Sequence, residues 1–448
     1  MPVVRPLRGL GYALDRFGGT EIPARVRRDG EAAEHPGRVA DLTDLVSPPY
    51  DVISDSQRSA LLARHQRNAV RLELSAEPAP HRAAAEALTA WLEDGTLALR
   101  SRGALYTYRY EPPDGPPGTE VRGILARIRL EPFGPRMRAH EHTMPGPKAD
   151  RLGLLRATRT QLSPILVIYD DPSDRSERFL DPAVFEEWRA RDADGLLHRV
   201  GVIDADDGRA AYLSKQKLLI ADGHHRYETA LEYQAEVRAA DPVARDAEPG
   251  ALAADWIMVV LVNAARESLE IRPTHRLIRQ ADPEALRRLV TGPDPLFEAV
   301  PVAPEALGER LADLRQAEEP VFGLVLPDGE GWLLIGDAGV AAERMRREPG
   351  SAPVRRLDLS LLHAAVLNDR LGITEADVAA GERLLYTRSE ADARGRVARG
   401  EAAAAILVRP TRLDELTAVA AAGDVMPQKS TYFYPKLLTG MVFHPLEG

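Results

Sequence analysis

Apolar positions along the chain switch between two periods. Alternation, or a short unbroken apolar run, predicts strands at Leu105–Tyr110, Val121–Leu130, Ile165–Tyr169, Trp256–Val262, Val321–Leu326 and Trp332–Ile335. Spacing of three and four predicts helices at Arg82–Asp94, Glu305–Leu314 and Asp358–Leu371. The first would carry Ala85, Leu88, Trp91 and Leu92 on one face and stop at Gly95. A further helix is suggested over Val184–Arg191. Pro112–Gly118 and Pro327–Gly329 read as turns, and Ala205–Arg209 as a hairpin turn. The mixture predicts an α+β protein.

At 448 residues the chain is too long for one simple core. Three blocks suggest themselves: an N-terminal α/β region at 1–134, a motif-dense core at 135–245, and a C-terminal α/β domain at 250–448. A hydrophobic fraction of 44% and a charged fraction of 28% are those of a globular protein in water. The net charge of −10, from 58 basic and 68 acidic residues, argues against duplex DNA as the main partner. Cysteine is absent, which removes disulfides, thiolate metal sites and a cysteine nucleophile. No apolar run approaches a membrane span, and the first residues lack an apolar signal core. The expected location is therefore the cytoplasm, with no membrane partner. No repeat or coiled coil specifies an oligomer.

The densest chemistry lies in Lys217–Leu231. The apolar run Leu218–Ala221 ends in Asp222-Gly223, then His224, His225 and Arg226 precede an apolar pattern at helical spacing from Tyr227. This predicts strand, tight turn, helix. Gly223 would let backbone approach a ligand, and the three cationic-type side chains would stand where the helix dipole favours an anion. A phosphate between them accounts for the pattern.

About 80 residues earlier, Arg138-Ala139-His140-Glu141-His142-Thr143 is followed by Lys148, Asp150 and Arg151. His140 and His142 lack the i, i+4 spacing of a zinc-protease helix. Glu141 is better used as a general base on a hydroxyl nucleophile. His275-Arg276, in Ile271–Arg276, is a further candidate pair. Gly423–Lys436 resembles a P-loop in spacing, but Gln428 replaces the second glycine and Pro427 and Pro435 break the loop-then-helix context. Lys429, Ser430, Thr431 and Lys436 remain candidates to bind phosphate or carboxylate through side chains. Ser47–Ile53, with Pro48 and Pro49, reads as a rigid extended turn that lines a cleft or only supports structure.

Together, SPPYDVIS from Ser47, HEHTMPGPKADR from His140, SPI from Ser163, LIADGHHRYETAL from Leu219, RPTHR from Arg272 and MPQKSTYFYPK from Met426 resemble the family known as domain of unknown function 1015. That name carries no chemistry. The middle block is also similar to the ParB/sulfiredoxin-like fold, and within it to free-serine kinases. The shared order is His140-Glu141, Arg151, Ser163-Pro164-Ile165 and Asp222–Arg226. Ser163 stands where an Asn is usual, and a longer spacing from Pro164 to Asp222 implies an insertion.

This second resemblance implies a ParB/sulfiredoxin-like core flanked by α/β regions. The missing cysteine excludes sulfiredoxin chemistry, and no helix-turn-helix DNA reader is recognisable. A small-molecule kinase remains. ATP, ADP or CTP would bind through Gly223, His224, His225 and Arg226, with Glu141 as base and Asp222 as second base or Mg²⁺ ligand. His140, Arg151, His275, Arg276, Lys429, Ser430, Thr431 and Lys436 would contact phosphate or substrate. The resemblance makes L-serine the expected acceptor and O-phosphoserine the product. A non-catalytic nucleotide switch using the same pocket is the alternative. A nuclease is disfavoured by the lack of clustered carboxylates for two metals.

Overall fold

The computed structural model describes residues 2–22, 37–111, 119–141, 145–173, 175–180, 182, 184, 186–203 and 208–447. The predicted turn at Pro112–Gly118 falls outside them. The chain forms two compact units, one from 1–138, 143–269 and 435–448, the other from 139–142 and 270–434. The class is α+β, as expected.

The first unit holds an eleven-stranded mixed sheet among its described residues. Its centre runs Leu197–Ile203, Leu105–Glu111, Val121–Arg129, Trp256–Asn263, Ile165–Tyr169, Leu218–Asp222. Trp256–Asn263 and Ile165–Tyr169 are parallel; their other neighbours in this run are antiparallel. Both are buried along their length, which explains their unbroken apolar sequences. Ile165, Val167, Ile220, Tyr227, Val259 and Leu261 share one core. Each buried aliphatic side chain of this kind contributes roughly 1.5–3 kcal/mol. The expected boundary near residue 134 runs through this sheet, because strands from both sides of it pair edge to edge.

Two local expectations are corrected. Within the range expected to be a helix, Glu186–Arg191 is a strand between Gly37–Asp41 and Leu197–Ile203. Sheet pairing and burial of Trp188 and Ala190 outweigh the helix propensity of its Glu, Arg and Ala residues. The hairpin expected at Ala205–Arg209 lies partly outside the described residues, and Arg209 opens a short helix, Arg209–Leu213, instead of a paired strand. The helix Pro80–Glu93 forms as predicted and Gly95 follows it with φ 71°. Its buried face is Ala84, Leu88 and Trp91, while Leu92 in the last turn is 45% exposed.

In the second unit an antiparallel six-stranded sheet runs Phe297–Pro301, Gly331–Gly336, Val321–Val325, Ala404–Val408, His275–Ile278, Leu384–Thr387. Helices cover both faces. Leu307, Leu311, Ala393 and Val397 pack on one. Leu286, Met345, Leu362 and Val366 pack on the other. The helix expected at Asp358–Leu371 is present, but Leu362–Asn368 is wound as a π-helix.

Candidate functional site

In the first unit the strand Leu218–Asp222 turns at Gly223 into the helix His224–Ala240. Gly223 has φ 99°, and a Cβ there would lie 2.4 Å from Cγ2 of Ile165. Both the conformation and the packing demand glycine. Tyr227 anchors the first turn: its ring is buried and its hydroxyl donates to the Glu131 carbonyl at 2.7 Å. Glycine brings no side chain to cap this helix, and its first turn contains no acidic residue. The positive end of this 17-residue helix favours an anion. His224 is buried and His225 partly exposed.

Asp222 precedes this turn. Lys436 donates to Oδ1, and Arg226 donates to Oδ2 at 2.8 Å. Burial alone would raise the carboxyl pKa, but Lys436 and then Arg226 override it and hold the group well below the usual carboxylate range. With both oxygens engaged by cations, the carboxylate is poorly disposed to the expected roles of second base and Mg²⁺ ligand. No group of three His, Asp or Glu suited to a metal occurs among the described residues. Arg226 is also internal. Besides Asp222, it donates to Ser163 Oγ at 2.9 Å and to the Pro164 carbonyl at 2.7 Å. Its role is to clamp the Ser163-Pro164 loop against the glycine turn.

Arg151 lies in the helix Pro145–Thr158 and is nearly buried. It donates to Glu73 Oε1 at 3.3 Å and to Asp150 Oδ2 at 2.9 Å, and its guanidinium stands 4.2 Å from the Tyr50 ring centroid. Burial raises the Glu73 pKa against the pull of Arg151 and Arg226. Glu73, Arg151, Leu162, Ser163, Arg226 and Thr229 line a cavity of about 60 Å³. Thr229 Oγ1 has no hydrogen-bond partner among the described residues. The N-terminal block therefore supplies Tyr50 and Glu73 to this charged cluster. Glu73 went unnoticed in the sequence, although a carboxylate beside the apolar Val70, Leu72 and Leu74 was a usable signal.

The remaining candidates lie in the second unit. His140 is fully buried, with Nε2 2.9 Å from Thr431 Oγ1. Glu141 Oε1 accepts the Lys429 backbone N–H at 3.0 Å, and Lys429 takes the left-handed φ of 56°. Ser430 Oγ donates to the Pro427 carbonyl at 2.5 Å. The segment then enters the strand Tyr432–Tyr434, so no P-loop helix follows it. His275 Nδ1 accepts the Val408 N–H at 3.3 Å, and burial followed by Arg276 pushes its pKa down to about 4. Arg276 is completely buried; it donates to the carbonyls of Thr274, Gln428 and Lys429. His142 and Thr143 lie outside the described residues.

The structure thus gathers Arg151, Asp222, Gly223, His224, His225, Arg226 and Lys436 in the first unit. His140, Glu141, His275, Arg276, Lys429, Ser430 and Thr431 belong to the second.

Residues 31–360 match the family described as proteins of unknown function, DUF1015. The chain belongs to this family. DUF1015 membership agrees with the motifs spread along the sequence. No curated protein matches the chain. Among solved structures it is similar to a free serine kinase in complex with AMP, at 15% identity and TM-score 0.36, covering 69% of this chain and 86% of that one. A conserved hypothetical protein from Pyrococcus furiosus is similar at 13% identity and TM-score 0.34, covering 70% and 92%. C-terminally truncated SbnI from Staphylococcus aureus is similar at 12% identity and TM-score 0.33, covering 70% and 85%. Among the described residues no helix is long and apolar enough to cross a membrane.

Proposed function

We propose that this DUF1015 protein is a nucleotide-dependent phosphotransferase acting on a small hydroxyl metabolite, with free L-serine the leading acceptor. The observation that carries the reading is the Gly223 turn. A glycine required by both φ and packing opens a long helix whose first turn has no acidic residue and holds two histidines. That is the chemistry of a phosphate cradle. The ordered motifs shared with free-serine kinases add the donor, ATP, ADP or CTP, with Mg²⁺ accompanying its phosphates, in a ParB/sulfiredoxin-like core.

In the proposed step the acceptor hydroxyl oxygen forms a bond to the terminal phosphorus. The bond from that phosphorus to the bridging oxygen breaks, and the shortened nucleotide leaves. The motif order shared with free-serine kinases makes Glu141 the residue proposed to take the hydroxyl proton; within its own unit its carboxylate accepts the Lys429 N–H. Asp222, Lys436 and Arg226 position the glycine turn and take no proton.

The test is phosphate transfer from each nucleotide, with Mg²⁺, to a panel of small hydroxyl compounds headed by L-serine. Glu141→Gln is expected to lower turnover by at least about 100-fold, the scale of a general-base contribution, and to spare nucleotide binding. Turnover near wild type in that variant refutes the base assignment. A nucleotide-binding switch is the second reading, favoured by the internal neutralisation of Asp222. It predicts nucleotide binding with a change in scattering profile and no phosphorylated product from any acceptor.

A further inference from the structure

The first unit holds a further cavity, of about 170 Å³, among residues that the Gly223 turn does not use. One wall comes from the large sheet. Trp188 pairs with Val200 and Tyr106 with Val202, so with a side-chain period of two the indole and the phenol lie on one face. Glu186, two residues before Trp188 in the same strand, shares that face. Another wall is the strand Leu10–Tyr12 with its partner Leu97–Leu99. The indole N–H donates to the Tyr12 carbonyl at 2.9 Å, which fixes the ring. A Cβ at Gly11 would lie 3.3 Å from Cζ2 of that ring, so glycine keeps its edge uncovered. Asp15 and Arg38, both exposed and ion-paired, line the cavity where it meets solvent.

Three polar groups lining this space have hydrogen-bonding capacity left over. Tyr106 is fully buried; its oxygen accepts the Gly9 N–H at 3.1 Å, and its own hydrogen has no acceptor among the described residues. Burial, against the pull of Arg100, pushes its pKa up to about 12, so that hydrogen stays in place at neutral pH. Arg100 gives one N–H to Glu186 Oε2, and both side chains are part-buried. Glu186 Oε1 and the rest of the guanidinium fork remain for a ligand. An arginine and a glutamate in contact match a ligand that carries a carboxylate and an ammonium on one carbon. Two positive and two negative side chains line the cavity, a balance that a zwitterion keeps and a singly charged ligand upsets. Leu14, Leu99 and Val442 join Trp188 as apolar lining. A cavity of about 150 Å³ admits benzene, so there is room for an aliphatic side chain beside the polar groups.

We propose that this cavity binds a free α-amino acid with an aliphatic side chain. Arg100 and the Tyr106 hydroxyl would take its carboxylate, Glu186 its ammonium, and Trp188, Leu14 and Val442 its side chain. The site lies wholly within the first unit and does not depend on the phosphotransferase reading. L-Serine, whose side chain covers little of the apolar lining, would bind here more weakly than L-leucine.

The test is calorimetric titration of the full-length protein with L-valine, L-leucine, isoamylamine and isocaproate, for wild type, Glu186→Gln and Arg100→Lys. Isoamylamine is leucine without its carboxylate, and isocaproate is leucine without its ammonium. Wild type is expected to bind at least one of the two amino acids about tenfold or more tightly than either analogue. Glu186→Gln keeps the size of the side chain and an oxygen for Arg100, so it should fold normally. It should raise the amino-acid Kd about tenfold, the effect of one hydrogen bond to a charged group. Arg100→Lys keeps the charge but loses the fork, and should raise the Kd by a similar factor. Circular dichroism verifies that both variants fold. Binding of neither amino acid by wild type, equal affinity for an analogue, or an unchanged Kd in folded Glu186→Gln overturns the site.

Discussion

Lys436 and Arg226 satisfy Asp222 from both sides, and this sets what the aspartate does. Its carboxylate ties the end of a strand to the C-terminal segment and to the first turn of the following helix. Lys436→Met would leave a half-neutralised charge in a nearly buried position. The expected cost is about 2 kcal/mol, read as a lower denaturant midpoint with unchanged slope. The sequence singled out Asp222, Gly223 and Arg226 as candidates, because an aspartate-glycine break followed by His-His-Arg stands apart from the surrounding pattern. It did not reveal their division of labour. Whether an arginine faces a ligand or the Ser163 loop depends on contacts 63 residues apart. Glu141 shows the same limit: its identity as a carboxylate was legible, and its Lys429 N–H partner, 288 residues away, was not.

At the scale of elements, apolar runs and alternation located Leu105–Glu111, Val121–Arg129, Ile165–Tyr169, Leu218–Asp222 and Trp256–Asn263 in the first sheet and Val321–Val325 and Gly331–Gly336 in the second, because burial on one or both faces writes itself into the sequence, but they did not pick out Leu197–Ile203 or Ala404–Val408. The failures have a common cause. Glu186–Arg191 is rich in helix formers, and its strand state is imposed by neighbours on either side. The π-helix Leu362–Asn368 differs from an α-helix by a local shift in hydrogen bonding that apolar spacing does not encode. Two histidines of the second unit have depressed pKa values: the buried His275 at the start of the strand His275–Ile278, and the part-buried His363 on the π-helix. His444, in a short edge strand, is a third, with its pKa pushed down to about 3 by burial and then by Arg127. All three have folded pKa values below the unfolded value of about 6.5. The unfolded chain therefore binds more protons below that pH, and stability falls as pH drops from about 6.5 toward 4. Denaturation midpoints measured across this range should decline, and replacing His444 with Gln should make the decline shallower.

For the whole molecule, each unit is assembled from separated stretches. Residues 435–448 return to the first unit, where Phe443 is fully buried and pairs with Leu10, and His444 pairs with Gln161. No composition shift marks this return, which is why a division into three consecutive blocks looked natural. Ending the chain after Tyr434 removes both Phe443 and the Lys436 partner of Asp222. Such a truncation is expected to abolish the cooperative thermal transition of the first unit and its nucleotide binding. A truncated chain that melts like the full-length protein would show that the segment is dispensable.

The central claim is that the Gly223 turn and the helix it opens hold nucleotide phosphates. Calorimetric titration of full-length wild type and Gly223→Ala with ATP, ADP and CTP tests it most directly, with circular dichroism to verify folding. Alanine must accept a left-handed backbone and a contact with Ile165, at an expected cost of about 1–3 kcal/mol. The account predicts that wild type binds at least one of the three nucleotides and that folded Gly223→Ala loses at least tenfold in affinity. Failure of wild type to bind any of them, or undiminished affinity in the variant, would contradict it.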